Sequence, residues 1–291
     1  MKAQSEASKL TVSIARRGVR RIYRSINEHF DFTASLPEQF IKPPAFAYEP
    51  QPKLIIDLGM NDGSDTFFYL KKGFNVIALE ANPELADQAS RRFARFISSN
   101  TLRILKHGIT DVTSDPLDFF VNHTRSEWSS FIKEIGSRGE RGYSVKKIEM
   151  LPIADLFSRF GTPYYLKIDV EGYDQRIIDA LDSLPYRPRF VSAEESGVKM
   201  IDSLYRLGAS AFKLVDQTGH PSISLPSPPL EGRFSRHYFV AGSSGPFGEE
   251  TPGNWIPYKM VRELYLAKYR SEDGTWVSTS KGWFDIHAKF E

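Results

Sequence analysis

An apolar run at 54–58 passes at once into Gly59-Met60-Asn61-Asp62-Gly63 and then into a helical stretch over 64–72, and this strand, turn and helix constrain the chain more than any other feature. Two glycines stand where a strand must turn sharply into a helix, so the backbone can pass close to a ligand that side chains would block. A second apolar run over 74–81 follows and carries Glu80 at its end. Together the three segments read as a βαβ unit.

The alternation continues beyond it. Pro83 opens a helix to about 98, the runs at 102–109 and 164–170 read as strands, 174–184 as a helix, and three later strands are expected at 189–193, 211–215 and 237–241. That makes seven strands. Strands alternating with helices predict an α/β fold with a mainly parallel sheet covered on both faces, which takes ligands at the carboxyl ends of its strands. The interval 116–150 carries Trp128, Ser129 and Ser130 with Gly136, Gly139 and Gly142, and is expected to form a wall or lid over the site. Pro37, Pro43, Pro44, Pro50 and Pro52 mark 31–52 as an extended connection. The expected division is therefore a basic helix and connection over 1–52, a ligand-binding domain over 53–242, and an extension over 243–291, with a helix near 258–269, packing on that domain.

Composition narrows the partners. Hydrophobic residues at 41% and charged residues at 25% of 291 match ordinary globular usage and argue against both a disordered chain and a membrane bundle. A net charge of +2 gives no strong global field, so nucleic acid is not an expected partner. The absence of cysteine removes a disulfide framework, a thiolate nucleophile and cysteine-ligated metal. No stretch reaches the roughly 18 apolar residues of a spanning helix, and the first residues lack the apolar core of a secretory signal, so a cytoplasmic protein is expected. Residues 10–30 carry Arg16, Arg17, Arg20, Arg21 and Arg24 with Ile14, Ile22 and Ile26 at helical spacing. This basic amphipathic helix reads first as one packed on the domain with a solvated arginine face; peripheral contact with an anionic membrane and a transit peptide are its other readings.

The chemistry begins at the turn. Glu80 is placed as an acid that accepts both hydroxyls of a ribose, Asp57 as one that sets the loop or holds an amino group of the ligand, and Gly108, Ile109, Thr110 and Asp111 as the border of the base. A dinucleotide site needs Gly-x-Gly-x-x-Gly so that pyrophosphate can rest on a helix amino end, whereas here Gly59 lacks a close second glycine and the Asp57 carboxylate would repel phosphate. A nucleotide-linked oxidoreductase stays as the enzyme alternative.

With Leu166-Lys167-Ile168-Asp169-Val170-Glu171-Gly172 added to Ile56-Asp57-Leu58-Gly59-Met60-Asn61-Asp62-Gly63 and Ala78-Leu79-Glu80-Ala81-Asn82-Pro83, the chain over about 54–241 resembles the FkbM family of S-adenosylmethionine-dependent methyltransferases. The resemblance implies a seven-stranded, Rossmann-like methyltransferase sheet with helices on both faces and its last strand antiparallel. It implies S-adenosyl-L-methionine as cofactor, with Asp57, Gly59, Met60, Asn61, Gly63, Glu80, Ala81, Asn82, Gly108, Ile109 and Asp169 as its candidate ligands. It also implies methyl transfer to a hydroxyl oxygen of a sugar, lipid or polyketide-type product. Met60 departs from the small alanine usual in the family, and Tyr173-Asp174 from the glutamate that often follows the glycine.

The candidate catalytic residues are Asp169, Glu171, Glu194 and Glu195. Lys167, Asp169 and Glu171 point the same way by strand alternation, and Glu194 and Glu195 end the neighbouring strand. An alcohol is a poor nucleophile until it loses its proton, and a positioned base contributes about 10²–10⁴-fold. Three arrangements are open. In the preferred one, Asp169 or Glu171 orients or deprotonates the acceptor without metal. In the second, Asp169 with Glu194 or Glu195 holds a divalent ion. In the third, Lys167 pairs with Asp57 across adjacent strands and the acids act as counter-charges. His107 reads as a packing residue rather than a base, and Asp285 and His287 as surface or packing groups. The expected function is methyl transfer to a hydroxyl of a saccharide, lipid-linked glycan or similar natural product; a non-catalytic binding module on the same fold is the alternative from another class.

Overall fold

The computed structural model describes residues 50–240, 242–272, 274–277 and 284–291. The basic helix expected over 10–30 lies outside them. In chain order the strands are β1 (Pro50–Leu58), β2 (Asn75–Leu79), β3 (Leu102–Leu105), β4 (Gly108–Thr110), β5 (Leu117–Asn122), β6 (Tyr143–Ile148), β7 (Met150–Pro152), β8 (Thr162–Ile168), β9 (Phe190–Glu194), β10 (Ala211–Asp216) and β11 (Phe284–Lys289). The α-helices are α1 (Ser64–Lys71), α2 (Pro83–Arg92), α3 (Ala94–Ser98), α4 (Lys133–Gly136), α5 (Ile153–Phe160), α6 (Asp174–Ala180), α7 (Val198–Arg206) and α8 (Tyr258–Lys268).

Seven strands form one sheet in the order β10-β11-β9-β8-β1-β2-β3. Every pairing from β9 through β3 is parallel, and β11 runs antiparallel to both of its neighbours. Alternate residues of a strand face opposite sides, and both sides are apolar here. Leu54, Ile56 and Leu58 of β1 and Ile77 and Leu79 of β2 join one core with Phe157, Ile177, Ile201 and Val261 of α5 to α8. Ile55, Val76 and Ala78 join the other with Phe67, Phe68 and Leu70 of α1 and Ala89 of α2. Such two-sided burial explains why these strands read as continuous apolar runs.

Two expected elements are corrected by the packing. The run expected as one strand over 102–109 divides, because Leu105 ends the pairing with β2 while Gly108 begins a separate pairing with Met150 of β7. The final strand is not 237–241 but β11. Residues 237–240 adopt no strand, and Phe239 is buried through its ring, 4.9 Å from the Phe68 ring centroid, not through a ladder. Residues beyond 242 therefore supply a strand of the sheet itself. The interval 116–150 forms the β5–β6 hairpin with the α4 turn at its tip. No helix among the described residues is long and apolar enough to cross a membrane.

Candidate active site

The first turn is built by backbone contacts that only glycine permits. Gly59 has φ +82°, and an added Cβ would lie 1.8 Å from the Asp169 carbonyl oxygen, so the ends of β1 and β8 meet closely here. The Gly59 and Met60 amides both donate to Leu79 O, at 3.1 and 2.9 Å. Asn61 takes a left-handed φ of 48° that aims its amide at Glu80 Oε2, 2.7 Å away, while the Asn82 amide donates to Glu80 Oε1 at 2.7 Å. The Glu80 carboxylate is thereby fixed at the end of β2, and each oxygen keeps a further lone pair for a hydroxyl donor. Burial pushes Glu80 up to about 7, against the opposing pull of the two amides and of Lys167. Asn82 also caps α2 by accepting from Glu84 N at 3.1 Å, ahead of Pro83 at the first helical position.

Beneath the turn, Asp57 is fully buried and accepts from Thr66 Oγ1 at 2.6 Å. Lys167, its register partner on β8, places Nζ 3.3 Å from Asp57, 3.3 Å from Asp169 and 3.9 Å from Asp65, and donates to Gly59 O at 3.0 Å. Burial opposes the lysine's charge, but the three carboxylates outweigh it and hold Lys167 above the ordinary lysine value. Of the two roles expected for Asp57, this arrangement serves loop setting, and Asp57 lines neither cavity described below. The pairing with Lys167 is the one anticipated across adjacent strands. Asp65, in the first turn of α1, went unnoticed in the sequence. It lines the cleft, receives the Ser244 amide at 3.3 Å, and is pushed up by burial to about 6.

At the end of β8 the carboxylates of Asp169, Glu171 and Glu194 bring an oxygen each within 4.8 Å of one another. Glu171 sits at φ 46°, a strained position for a non-glycine residue. Its carbonyl accepts from Ser130 Oγ at 2.7 Å, its carboxylate meets Arg138 at 3.1 Å, and Asp174 clamps the turn by accepting from the amides of Val170 and Gly172. Burial, then Glu194 and Asp169, pushes Glu171 up to about 9, so it carries a proton at neutral pH. Glu195 does not join the group. Its carboxylate accepts from Tyr265 Oη and from Arg270 Nε, the latter at 2.8 Å, so it ties α8 to the sheet.

Two adjoining cavities lie over these strand ends and share Gly59, Asn61, Glu127, Asp169 and Glu171. Besides these the first is bordered by Glu80, Ala81, His107, Gly108, Ile109, Phe119 and Phe131, and its apolar walls with the fixed Glu80 carboxylate among them suit a nucleoside. At Gly108 an added Cβ would lie 2.4 Å from the Phe131 ring, so that residue keeps the slot's edge thin. The second cavity is polar and is bordered by Met60, Asp65, Lys167, Glu194, Gln217 and Ser243. Gly63 borders neither and instead opens α1 at φ 77°. The hairpin closes over the junction through Ser126, whose hydroxyl meets Asn61 Oδ1 at 3.1 Å, and Trp128 lies under the guanidinium groups of Arg125 and Arg138 at 5.0 and 5.1 Å.

A family model described as the methyltransferase FkbM domain matches residues 57–208. No curated protein matches the chain. Among solved structures, an FkbM methyltransferase from Methylobacillus flagellatus is 14% identical over 50% of this chain and 33% of that one, with a TM-score of 0.32. An O-methyltransferase from a trans-AT polyketide synthase of Brevibacillus brevis, in complex with S-adenosylhomocysteine, is 9% identical over 56% and 48%, at 0.32. An S-adenosylmethionine-dependent O-methyltransferase from Thermotoga maritima is 11% identical over 84% and 61%, at 0.31. The chain thus spans between a third and about three fifths of these three structures. With the match extending from the buried Asp57 through both cavity-forming strand ends to the end of α7, the chain belongs to the FkbM methyltransferase family.

Proposed function

We propose that this chain transfers a methyl group from S-adenosyl-L-methionine to a hydroxyl oxygen of a saccharide, lipid-linked glycan or similar acceptor. The observation that carries this reading is the junction of the two cavities, where the turn at Gly59 and Asn61 and the acids Asp169 and Glu171 border both. Glu80, Ala81, Gly108 and Ile109 would hold the adenosine part. When bound, that cofactor supplies an electrophilic methyl group on a sulfonium. The chain's own residues do the rest. The hairpin borders the junction through Ser126, and positioning of two reactants supplies much of the acceleration in such displacements. Glu171, already protonated, donates a hydrogen bond that orients the acceptor; Asp169, at the junction and charge-balanced by Lys167, receives the hydroxyl proton.

A divalent ion on Asp169, Glu171 and Glu194 is the second reading, favoured by their mutual approach within 4.8 Å. Lys167 at 3.3 Å from Asp169 already supplies a countercharge and weighs toward the metal-free form. Supplying purified protein with a labelled methyl donor and saccharide and lipid extracts tests both. The expected result is methylation that survives a chelator and falls about 10²–10⁴-fold in Asp169→Asn. Chelator-sensitive transfer would establish the metal form instead, and unchanged transfer by Asp169→Asn would remove the residue from the mechanism.

A further inference from the structure

The family match ends at residue 208, yet one wall of the second cavity is built after it, by Gln217, Val240, Gly242 and Ser243. Most of that wall offers the cavity little to recognise an acceptor with. Val240 is apolar, Gly242 has no side chain, and the Ser243 hydroxyl is spent on Val240 O at 2.8 Å. Gln217 is different. It is 5% exposed, follows the end of β10, and brings an uncharged primary amide to a cavity whose other polar side chains are mainly carboxylates.

Its placement is fixed from two sides. Its carbonyl accepts from the Gly242 amide at 3.3 Å, which joins the two halves of the wall, and the Asp216 carboxylate caps the turn that follows by accepting from Thr218 N at 2.8 Å. Its side chain lies beside Asp285 of β11, a buried acid paired in register with Glu194, and favours the charged form of that acid. An amide carries two N–H donors and an acceptor oxygen, more capacity than one neighbouring carboxylate can take up, in a residue that borders the cavity.

We propose that Gln217, beside Asp285, is a specificity-determining residue that reads a second hydroxyl of the acceptor, so that the enzyme favours a vicinal polyol over a lone alcohol. This rests on the reading of the chain as a hydroxyl methyltransferase. The acid side of the cavity takes hydroxyl donors, and Gln217, on the other wall, is both a donor and an acceptor for a neighbouring hydroxyl. A buried amide left without that partner penalises the wrong substrate, the asymmetry by which polar sites discriminate.

The test compares labelled-methyl transfer to methyl α-D-glucopyranoside, trans-1,2-cyclohexanediol and cyclohexanol by wild type, Gln217→Leu and Asp285→Asn, with the S-adenosylhomocysteine Kd of each protein. Wild type is expected to prefer the diol and the glucoside to cyclohexanol by about tenfold or more in kcat/KM. Gln217→Leu should remove that preference through KM while its S-adenosylhomocysteine affinity stays within about twofold, and Asp285→Asn should weaken the preference partially. An unchanged preference in Gln217→Leu overturns the assignment, as does wild type that binds S-adenosylhomocysteine yet methylates none of the panel. A parallel fall in S-adenosylhomocysteine affinity and in the preference shows a merely structural residue and also overturns it. Failure of wild type to bind S-adenosylhomocysteine strikes the underlying reading, a separate result.

Discussion

Glu171 concentrates the unusual physics of this site in one side chain: a left-handed backbone, two neighbouring carboxylates and one arginine. The native state holds its proton up to about pH 9, whereas an ordinary glutamate loses it near 4.5. Between those values the folded chain binds more protons than the unfolded one. Its contribution to stability is therefore full below about pH 4.5 and is lost as pH rises toward 9. Glu171→Gln reproduces the neutral form at every pH and keeps a side-chain oxygen that can accept from the partly exposed Arg138. The variant should melt close to wild type at pH 5 and more than about 2 °C above it at pH 8.5. A melting difference that stays flat across this range would contradict the shift. Glu171 was legible in the sequence as an acid at a strand end, but its protonation was not, since that depends on burial and on Glu194 arriving from another strand.

The turn between β1 and α1 is the element on which the rest is hung. Gly59 needs both a positive φ and the absence of a side chain, because its missing Cβ would stand 1.8 Å from the Asp169 carbonyl oxygen. Gly59→Ala should cost about 3 kcal/mol or more in urea unfolding, since neither the backbone region nor the contact can relax without separating β1 from β8. Gly142→Ala is the control: the same sign of φ with nothing within 4 Å, and an expected cost of about 1 kcal/mol. Equal costs for the two would show that close approach of β1 and β8 does not matter. This element was plain in the sequence because glycine position, apolar run and helix start coincide. Others were not. Glu194 and Glu195 are consecutive, and the chain alone does not say which of them the strand turns into the cleft; the partners that claim Glu195, Tyr265 and Arg270, lie 70 and 75 residues away. Asp65 was hidden because a helix's phase against the sheet is set by packing, which the sequence does not display.

At the scale of the whole molecule, the seventh strand shows what local pattern misses. The run at 237–241 is apolar and looks like a strand, whereas the true one alternates Phe284, Ile286 and Ala288 with the buried Asp285 and His287. Polar residues that find burial through tertiary contacts defeat a reading by hydropathy. Because β11 lies between β9 and β10, deleting residues 284–291 should expose both neighbouring strands and strip four buried apolar side chains from the core. Loss of cooperative thermal unfolding and aggregation on size exclusion are the expected outcome. A deleted chain that stays monomeric with an unchanged Tm would show that the sheet is complete without it. The proposed nucleoside site for a methyl donor, anchored by Glu80, is tested most directly by calorimetric titration with S-adenosylhomocysteine. One molecule is expected to bind per chain, and Glu80→Ala is expected to weaken Kd by about tenfold or more, as befits loss of hydrogen bonds to a charged group. No binding of S-adenosylhomocysteine or S-adenosylmethionine, or binding of a nicotinamide dinucleotide in their place, would contradict it.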